Sequence, residues 1–478
     1  MQVFDFYDFL LTDLTFEPTT QQQDSLGVFS EVLLHQEDPH KVFILQGYAG
    51  TGKTSLVQTV ISNLWRAHYK YVLLAPTGKA AKVISNYTQK PASTIHRCIY
   101  TPKTQPKGEV TFELKKNKAS RTVFIVDESS MVSDTVSKQE LLFENGNLLA
   151  DLIDYVYNQK DCFLVFIGDT AQLPPVKSLE SPALSSSILC EKYQLEPTLA
   201  YLDQVVRQSQ QSAILTNATH IRSFIEAMSL ENQSKSLKLS CGQGVYRCKT
   251  ADDVLQQLHQ AYDIQGVEQT IVLVQSNKRA NQYNTYIRET ILQKTKPLEK
   301  DDHLMVIRNN YHWLSSTVSS GFIANGDTLK VSQVIGLEHQ YGFDFIRLKV
   351  SFVDQNDIPP FEALVFSETL TIETAALPYE RTTQLYQRLL KYYLRKYPKH
   401  ECHEKIKQDP YYNALQVKFA YAITCHKSQG GQWHTVFVEQ PIKANFQSQD
   451  SLRWLYTAVT RAKEQLCFVG FSANSFLS

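Results

Sequence analysis

The chain has 478 residues with 48 basic and 48 acidic side chains, so its net charge of zero gives no overall argument for nucleic-acid binding. A hydrophobic fraction of 43% is ordinary for globular proteins, and the length suffices for about two to four domains. No apolar run approaches the roughly 18 residues of a membrane span, and the acidic start "MQVFDFYDFLLTDL" is unlike a signal peptide. The eight cysteines form no C-x-x-C pair, which disfavours a zinc ribbon or a disulfide framework and favours a cytoplasmic protein.

The first motif along the chain is "GYAGTGKT", residues 47–54, which follows the strand-like "KVFILQ" and precedes the helix-like "SLVQTVISNLW". Its spacing G-x-x-x-x-G-K-[ST] is that of a phosphate-binding loop, in which the lysine reaches the terminal phosphates and the threonine ligates Mg²⁺. The residues expected to hold the nucleotide are Gly47, Gly50, Thr51, Gly52, Lys53 and Thr54. The motif alone does not separate kinases, GTPases and motor ATPases.

Strand-like runs then alternate with helical patterns, which predicts parallel sheets covered by helices. These runs are "YVLLAPT", "TVFIVDE", "CFLVFIGD", "TIVLVQS", "KFAYAIT", "HTVFVEQ" and "QLCFVGF". A polar region near residues 208–250 divides them into two α/β domains, each with an insertion. The predicted parts are a first domain (1–96 and 122–200), a β-hairpin (97–121), a second domain (201–292 and 413–478), and a larger insertion (293–412) that is strand-like and then helical.

A pair of acids follows the strand "TVFIV" in "TVFIVDESSM". After a phosphate loop, this pattern predicts that Asp127 holds Mg²⁺ and that Glu128 deprotonates the attacking water. A water-activating base favours hydrolysis over transfer to a hydroxyl, as in a kinase. Gln172 in "FIGDTAQLPPV" is placed to hydrogen-bond the γ-phosphate, with a solvent-exposed turn as the alternative.

Nine short motifs follow one another along the chain, and their order makes the set specific for one protein family. They are "GYAGTGKT", "APTGKAAKVI", "STIHR", "IVDESSM", "GDTAQLPPV", "VVRQS", "ANGD", "AITCHKSQGGQW" and "YTAVTRAKEQL". The set resembles the motifs of superfamily one helicases, in the B branch of RecD and Dda type, from about residue 19 to the C-terminus. The resemblance implies two RecA-like domains, a hairpin insertion in the first, and an SH3-like plus helical insertion in the second. It also implies ATP and Mg²⁺ as cofactors, 5′ to 3′ translocation on single-stranded DNA, duplex unwinding, and a place in DNA replication, repair or recombination.

Further nucleotide contacts come only from this resemblance. Gln22 in "TTQQQ" looks like the adenine-reading glutamine of the family, with Gln21 and Gln23 as alternatives. Arg207 in "VVRQS" and Arg461 in "AVTRAKEQ" match the two arginines that reach the γ-phosphate from the second domain, with surface salt bridges as the alternative.

The single strand is expected to run across the tops of both domains, where small, hydroxyl and basic residues meet backbone phosphates. The residues that match the family pattern are Pro76, Thr77, Lys79, Thr94, His96, Asn325, Thr424, His426, Lys427 and Ser428. Each of them alone is more often a helix cap or a solvated loop residue.

The two insertions are candidates for handling the strands at a fork. The hairpin is rich in lysine and arginine, and either Phe112 or Tyr100 could be a pin that splits base pairs or could simply pack the hairpin down. The helix around 382–397 interleaves basic residues with tyrosines, which fits strand contact or packing against the insertion. "HECH" at 400–403 is more typical of a solvated surface than of a metal site.

These features favour an ATP-dependent DNA helicase that is monomeric, binds single-stranded and forked DNA, and works in the cytoplasm at the nucleoid. The alternatives are a P-loop kinase or transferase, a non-catalytic adaptor, a translocase that does not unwind, and a RecD-like subunit of a nuclease complex.

Overall fold

The structure is a computed structural model. It describes residues 2–34, 40–104, 110–135, 146–159, 161–206, 212–229, 237–314, 323–353, 358–441, 446 and 448–477, with the side chains of residues 102–112 outside the description. Among the described helices, none is long and apolar enough to cross a lipid bilayer.

The first half of the chain alternates strands with helices. Its strands are β1 (Lys41–Gly47), β2 (Lys70–Ala75), β3 (Ala92–Thr94), β4 (Tyr100–Thr104), β5 (Val110–Leu114), β6 (Thr122–Val126), β7 (Cys162–Gly168) and β8 (Glu196–Leu202). Its helices are α1 (Val3–Thr12), α2 (Thr20–Leu34), α3 (Lys53–Asn63), α4 (Gly78–Thr88), α5 (Ile95–Ile99), α6 (Leu148–Tyr157) and α7 (Ser186–Tyr193).

The second half contains β9 (Val245–Cys248), β10 (Thr270–Val274), β11 (His303–Val306), β12 (Thr328–Gln340), β13 (Phe343–Phe352), β14 (Phe361–Phe366), β15 (Val417–Phe419), β16 (Ala422–Thr424), β17 (Trp433–Glu439) and β18 (Ala462–Val469). Its helices are α8 (Ala213–Ser229), α9 (Ala251–Gln265), α10 (Asn277–Tyr286), α11 (Tyr379–Tyr393), α12 (Lys399–Lys407), α13 (Cys425–Ser428) and α14 (Gln449–Val459).

The first domain is a six-stranded parallel sheet in the order β3-β2-β6-β7-β1-β8. Both faces are buried because side chains alternate along each strand: Val42 and Ile44 join one apolar cluster, whereas Phe43 and Leu45 join another. Parallel strands bring their carboxyl ends to one edge. The segments that come after β1, β6 and β7 therefore meet there.

The second domain repeats this plan with a five-stranded parallel sheet, β16-β10-β17-β18-β9. Along β10, Ile271 and Leu273 pack on one face, and Val272 and Val274 pack on the other. Two parallel sheets covered by helices confirm the predicted α/β class.

The larger insertion is a five-stranded antiparallel sheet in the order β14-β13-β12-β11-β15. Its two edges are joined because the N–H of Leu415 donates to the carbonyl of Leu364 at 2.7 Å, and the N–H of Phe366 donates to the carbonyl of Leu415 at 3.0 Å. The sheet thus closes toward a barrel. Strand β15 belongs to it, so the insertion continues past residue 412, where the sequence placed the boundary.

The predicted hairpin in the first domain is the antiparallel pair β4 and β5, in which Pro102 stands opposite Phe112. Lys115 anchors its base because the Lys115 ammonium donates to the carbonyls of Arg97 and Cys98, at 2.6 and 3.2 Å.

Candidate nucleotide site and nucleic-acid track

The loop between β1 and α3 has the geometry of a phosphate cradle. Gly52, which precedes α3, has a φ of 87°, and a Cβ there would lie 2.5 Å from Nε2 of Gln22. No described side chain caps this end of α3, so its N–H groups remain for an anion. Lys53 lies across the loop, where its ammonium donates to the carbonyls of Gly47 at 2.6 Å and Tyr48 at 2.9 Å.

Gln22 is buried beneath this loop. Its Nε2 donates to the carbonyl of Thr51 at 3.0 Å, and its Oε1 accepts the N–H of Thr19 at 3.0 Å. Gln21 instead bonds the Asp203 carboxylate and N–H. Both polar ends of Gln22 thus hold protein backbone in this structure, which supports the loop; adenine reading by this residue stays a prediction.

Two carboxylates come after β6 at the same sheet edge. Burial, and then the neighbouring charge of Glu128, raises the pKa of Asp127 to about 7, while the Lys53 ammonium opposes that shift. Glu128 has a φ of 52°, a left-handed conformation that costs a non-glycine residue energy and is concentrated at functional sites. The loop lysine and both predicted acids therefore share one electrostatic environment.

A third acid, Asp169, comes after β7. Burial raises the pKa of this carboxyl above its usual value, although the Lys53 ammonium and a hydrogen bond from Tyr456 oppose the rise. Gln172, three residues later, is buried, and its Oε1 has no hydrogen-bond partner among the residues described. A buried acceptor without a partner is costly unless a ligand or water supplies the donor.

The second domain touches this edge through α14. The Tyr456 hydroxyl accepts the N–H of Ala49 at 3.0 Å and donates to Asp169 Oδ2 at 2.8 Å. The next residue, Thr457, accepts the N–H of Leu173 at 2.9 Å. The phosphate loop and the Gln172 segment are therefore bound by one turn of a helix from the other domain.

Arg461, which lies just after α14, is buried against its own domain. Its described hydrogen bonds go to the carbonyls of Thr457 and Gly431 and to the Thr460 hydroxyl, at 3.0, 3.3 and 3.2 Å. Its reach to a γ-phosphate stays a prediction, and Arg207 lies outside the described residues.

These residues fit a nucleotide with Mg²⁺. The cradle leaves no space for a Cβ at Gly52, Lys53 stands over it, and Gln172 presents an unpartnered acceptor. Thr54, in the first turn of α3, and Asp127 supply the oxygen ligands that Mg²⁺ prefers.

The predicted track begins where α4 of the first domain meets the second. The Thr77 hydroxyl caps α4 by accepting the N–H of Ala80 at 3.2 Å, and Pro76 directly precedes it. The Lys79 ammonium lies 3.6 Å from the centre of the Trp433 ring, a cation–π contact between the domains. Gly430 has a φ of 72°, and a Cβ there would lie 2.6 Å from that of Ala80, so only glycine allows this approach.

The "STIHR" segment lies at the start of α5, and its contact with DNA stays a prediction. Thr94 is buried, and its hydroxyl caps α5 by accepting the N–H of Arg97 at 3.3 Å. Burial lowers the pKa of His96 to about 4, so this side chain is neutral at physiological pH. In the neutral form it can donate a hydrogen bond or stack on a base.

On the second domain, the predicted DNA contact of Ser428 is wrong. This residue is fully buried, and its hydroxyl donates to the carbonyl of Cys425 at 2.7 Å. Thr424 precedes α13, and its hydroxyl makes no capping bond within the described chain. Burial lowers the pKa of His426.

Lys427 differs from these residues because its Nζ is buried without a partner in the described ranges, and burial lowers its pKa to about 8.

The insertion reaches the same surface through "ANGD". Asn325 is exposed, and its N–H donates to Asn309 Oδ1 at 2.7 Å. Asp327 lies so close to Gly78, at the start of α4, that a Cβ there would collide with its carboxylate. The track is therefore bordered by three parts of the chain.

Tyr100 corrects the pin prediction. It is 5% exposed, and its hydroxyl donates to Asp151 Oδ2 at 2.5 Å, so it fastens the hairpin to α6 and presents no face to a base pair. The side chain of Phe112 lies outside the description, and its role as a pin stays a prediction.

The helical part of the insertion uses its polar residues for packing. Arg388 donates to the carbonyl of Tyr341 at 2.7 Å, Tyr393 donates to Asp409 at 2.9 Å, and Tyr386 bonds His403. These contacts fit the packing alternative for part of the helix. The basic side chains of this stretch are nevertheless exposed, so strand contact stays a prediction for Arg388, Lys391, Arg395 and Lys396. Within the described residues, no group of three or more histidines, cysteines and acids could hold a metal. In "HECH", Cys402 is fully buried and its thiol donates to the carbonyls of Tyr397 and Pro398, so the interpretation of this stretch as a solvated surface is wrong for that residue.

Three residues at the domain interface were not singled out from the sequence: Asp169, Tyr456 and Trp433. Each lies inside one of the nine motifs, so the signal was present. Their partners are far away along the chain, and spacing alone could not reveal the pairs.

A phosphate cradle, two strand-end acids and a second parallel sheet docked on them define a two-domain P-loop ATPase fold. Family models match at both ends of this architecture: an AAA domain at residues 31–242 and a UvrD-like helicase C-terminal domain at residues 419–469.

Three known proteins show the similarity further. The ATP-dependent DNA helicase dda of Enterobacteria phage T4 is 26% identical over 76% of this chain and 75% of its own length. The ATP-dependent RecD2 DNA helicase of Deinococcus radiodurans is 30% identical over 39% of this chain and 22% of its own. A Bacteroides Pif1 helicase structure aligns over 97% of this chain and 95% of its own length, with a TM-score of 0.47 and 14% identity. The family models and the two sequence relatives confirm the resemblance to superfamily one, B branch helicases of RecD and Dda type.

Proposed function

We propose that this protein is an ATP-dependent DNA helicase that moves 5′ to 3′ along single-stranded DNA and unwinds duplex DNA. The observation that supports it best is the position of the phosphate cradle, at an edge where Tyr456 of the second domain bonds both Ala49 and Asp169. A kinase would need a pocket at this edge for the hydroxyl that accepts the phosphoryl group. A motor needs a second domain whose position depends on the bound nucleotide, and the contacts of Tyr456 fit that requirement.

In the proposed reaction, Lys53 holds the terminal phosphates and Glu128 takes a proton from the attacking water. Gln172 would donate to the γ-phosphate through its amide NH2, and its unpartnered oxygen would accept from the attacking water. Thr54 and Asp127 would hold Mg²⁺, which when bound supplies positive charge to the phosphates. Arg461 and Arg207 of the second domain would stabilise charge that develops on the γ-phosphate.

The DNA would lie across α4 and α13, near Lys79, Lys427 and Asn325. Lys427 is the best-supported contact because a buried ammonium without a partner is costly until an anion reaches it. A strand that bridges both domains would move as they close and open with each ATP. We expect such an enzyme to be monomeric and to work at the nucleoid.

The test is ATP turnover measured with and without single-stranded DNA, beside unwinding of forks with a 5′ or a 3′ tail. We expect DNA to stimulate turnover and only the 5′-tailed fork to open, and we expect Lys53→Ala to abolish turnover while keeping strand affinity. Single-stranded RNA of the same sequence, used in place of the DNA, is the control that shows whether stimulation is specific to DNA. Stimulated turnover without opening of any fork would favour a translocase or a subunit of a larger complex, and turnover indifferent to nucleic acid would reject the proposal.

A further inference from the structure

The Tyr456 hydroxyl joins two loops of a domain to which it does not belong. It is 1% exposed, accepts a hydrogen bond from the phosphate loop at Ala49, and donates one to Asp169. The Asp169 carboxylate also accepts the N–H of Ala171 at 3.0 Å, immediately before Gln172. A continuous series of hydrogen bonds therefore runs from the phosphate loop to Ala171, the neighbour of Gln172, through a single second-domain side chain.

The flanks of Gln172 are fixed from the same side. Leu173, the next residue, donates its N–H to Thr457 at 2.9 Å and accepts at its carbonyl from Gln429 Nε2 at 2.7 Å. Both partners belong to the second domain. The orientation of Gln172 relative to the phosphate loop thus depends on where the second domain stands.

We propose that Tyr456 is a positioning residue for ATP hydrolysis, whose hydroxyl aligns the phosphate loop with Gln172 only when the two domains are together. This inference rests on the proposed ATPase function. It assigns to Tyr456 the step by which bound single-stranded DNA, in bringing the domains together, prepares the nucleotide site.

The physical reason lies in the cost of unpaired buried groups. With phenylalanine at 456, the ring still packs, but Asp169 Oδ2 and the N–H of Ala49 lose their partner inside the closed interface. When the domains are apart, water satisfies both groups. The loss therefore penalises the closed state alone, and DNA-driven closure becomes weaker.

The experiment measures the affinity for a fluorescent, non-hydrolysable ATP analogue with and without a saturating single-stranded oligonucleotide, together with ATP turnover. The ratio of the two affinities is the coupling between the sites. We expect Tyr456→Phe to keep the DNA-free affinity within about twofold of wild type while the coupling ratio and the DNA-stimulated kcat each fall about tenfold.

A matched control is Tyr262→Phe, because Tyr262 is a buried second-domain tyrosine whose hydroxyl has no hydrogen-bond partner in the described residues. We expect it to match wild type in coupling and turnover. The double variant Tyr456→Phe with Asp169→Asn should couple no more weakly than the weaker single variant, because both changes break one series of bonds.

An unchanged coupling ratio in Tyr456→Phe, or a wild type in which DNA has no effect on analogue affinity, overturns the assignment. Equal losses in DNA-free affinity, thermal stability and coupling also overturn it, because they indicate a merely structural role. If wild type binds the analogue without turning over ATP, the proposed function fails, while the coupling ratio still tests Tyr456.

Discussion

The two parallel sheets differ most in the loops at the carboxyl ends of their central strands. After β1 comes a glycine loop and a helix end that no described side chain caps, whereas after β10 the Ser276 hydroxyl caps α10 by accepting the N–H of Arg279 at 3.2 Å. A capping side chain occupies one of the N–H groups that a phosphate would otherwise bind. The described loop after β10 therefore lacks the phosphate cradle that follows β1.

The strand-end acids differ in the same way. Asp127 and Glu128 share the surroundings of one lysine, whereas Glu439, at the end of β17, binds the guanidinium of Arg279 and accepts from the Tyr283 hydroxyl. A carboxylate held by these groups serves structure. We infer that the first sheet carries the chemistry and that the second supplies groups that depend on closure.

Arg461→Ala is the strongest test of this division of labour between the two sheets, because it asks whether a second-domain residue has a large effect on catalysis. Turnover should fall by about three orders of magnitude or more, as for arginines that stabilise charge on a transferring phosphoryl group, with a much smaller change in ATP affinity. Steady-state kinetics beside analogue binding checks this, with Arg461→Lys as the charge-preserving control. Equal losses in ATP turnover and in ATP affinity would mean that Arg461 only helps ATP to bind.

The complementary change in the first sheet is Glu128→Gln. Removing the base should lower kcat by about 100- to 10,000-fold, while ATP still binds because Asp127 and Lys53 remain. Equilibrium binding and single-turnover hydrolysis separate the two effects. Normal turnover would place the base elsewhere.

The hairpin tests whether the first domain also separates strands. Phe112→Ala should slow fork opening by about tenfold, because base–aromatic stacking is worth roughly 1 to 3 kcal/mol, and should leave DNA-stimulated ATPase and translocation nearly unchanged. Tyr100→Phe is the control for a loosened hairpin: it removes the bond to Asp151 but no ring that faces a base pair, so fork opening should be slowed less than in Phe112→Ala. A Phe112→Ala protein that opens forks normally would make the hairpin a structural element.

The smallest expected effect is that of Lys427→Gln on strand affinity. We expect a loss of about three- to tenfold and a salt dependence shallower by about 0.7 in slope, as for one phosphate contact on a single strand. Because the pKa of Lys427 is about 8 and only the ammonium attracts phosphate, wild-type affinity should fall as pH rises from 7 to 9. The variant should lack most of this decline, and titrations by fluorescence anisotropy at several pH values would show it.

The sequence predicted the parts of the site that depend on local spacing. The phosphate loop and the acids after β6 need only a strand, a turn and a helix in order, and buried strands read as continuous apolar runs. Hydroxyl residues were less predictable because Thr77, Thr94 and Ser428 satisfy neighbouring backbone groups, an alternative that residue type does not exclude. The bonds of Tyr456 join residues hundreds of positions apart, which no local pattern reports.

The insertion shows the same limit. Its strands were visible, but β15 comes after the helices α11 and α12 and looks like the start of the next parallel strand. Only its pairing with β11 assigns it to the antiparallel sheet. Tyr100 likewise had the composition of a hairpin aromatic, and only the position of Asp151 on α6 decides its burial.

The strand order has a consequence for synthesis on the ribosome. The first sheet is complete once β8 has ended at Leu202, but the second needs β18, because β9 pairs with it and β17 lies on its other side. At roughly 5 to 20 residues per second, the chain takes about 15 to 50 s to grow from Leu202 to Val469. During that time the emerging protein has its phosphate loop and acids but neither Tyr456 nor Arg461 in a folded domain. Under the proposed function, a chain still on the ribosome would bind nucleotide before it has the second-domain residues proposed to speed its hydrolysis.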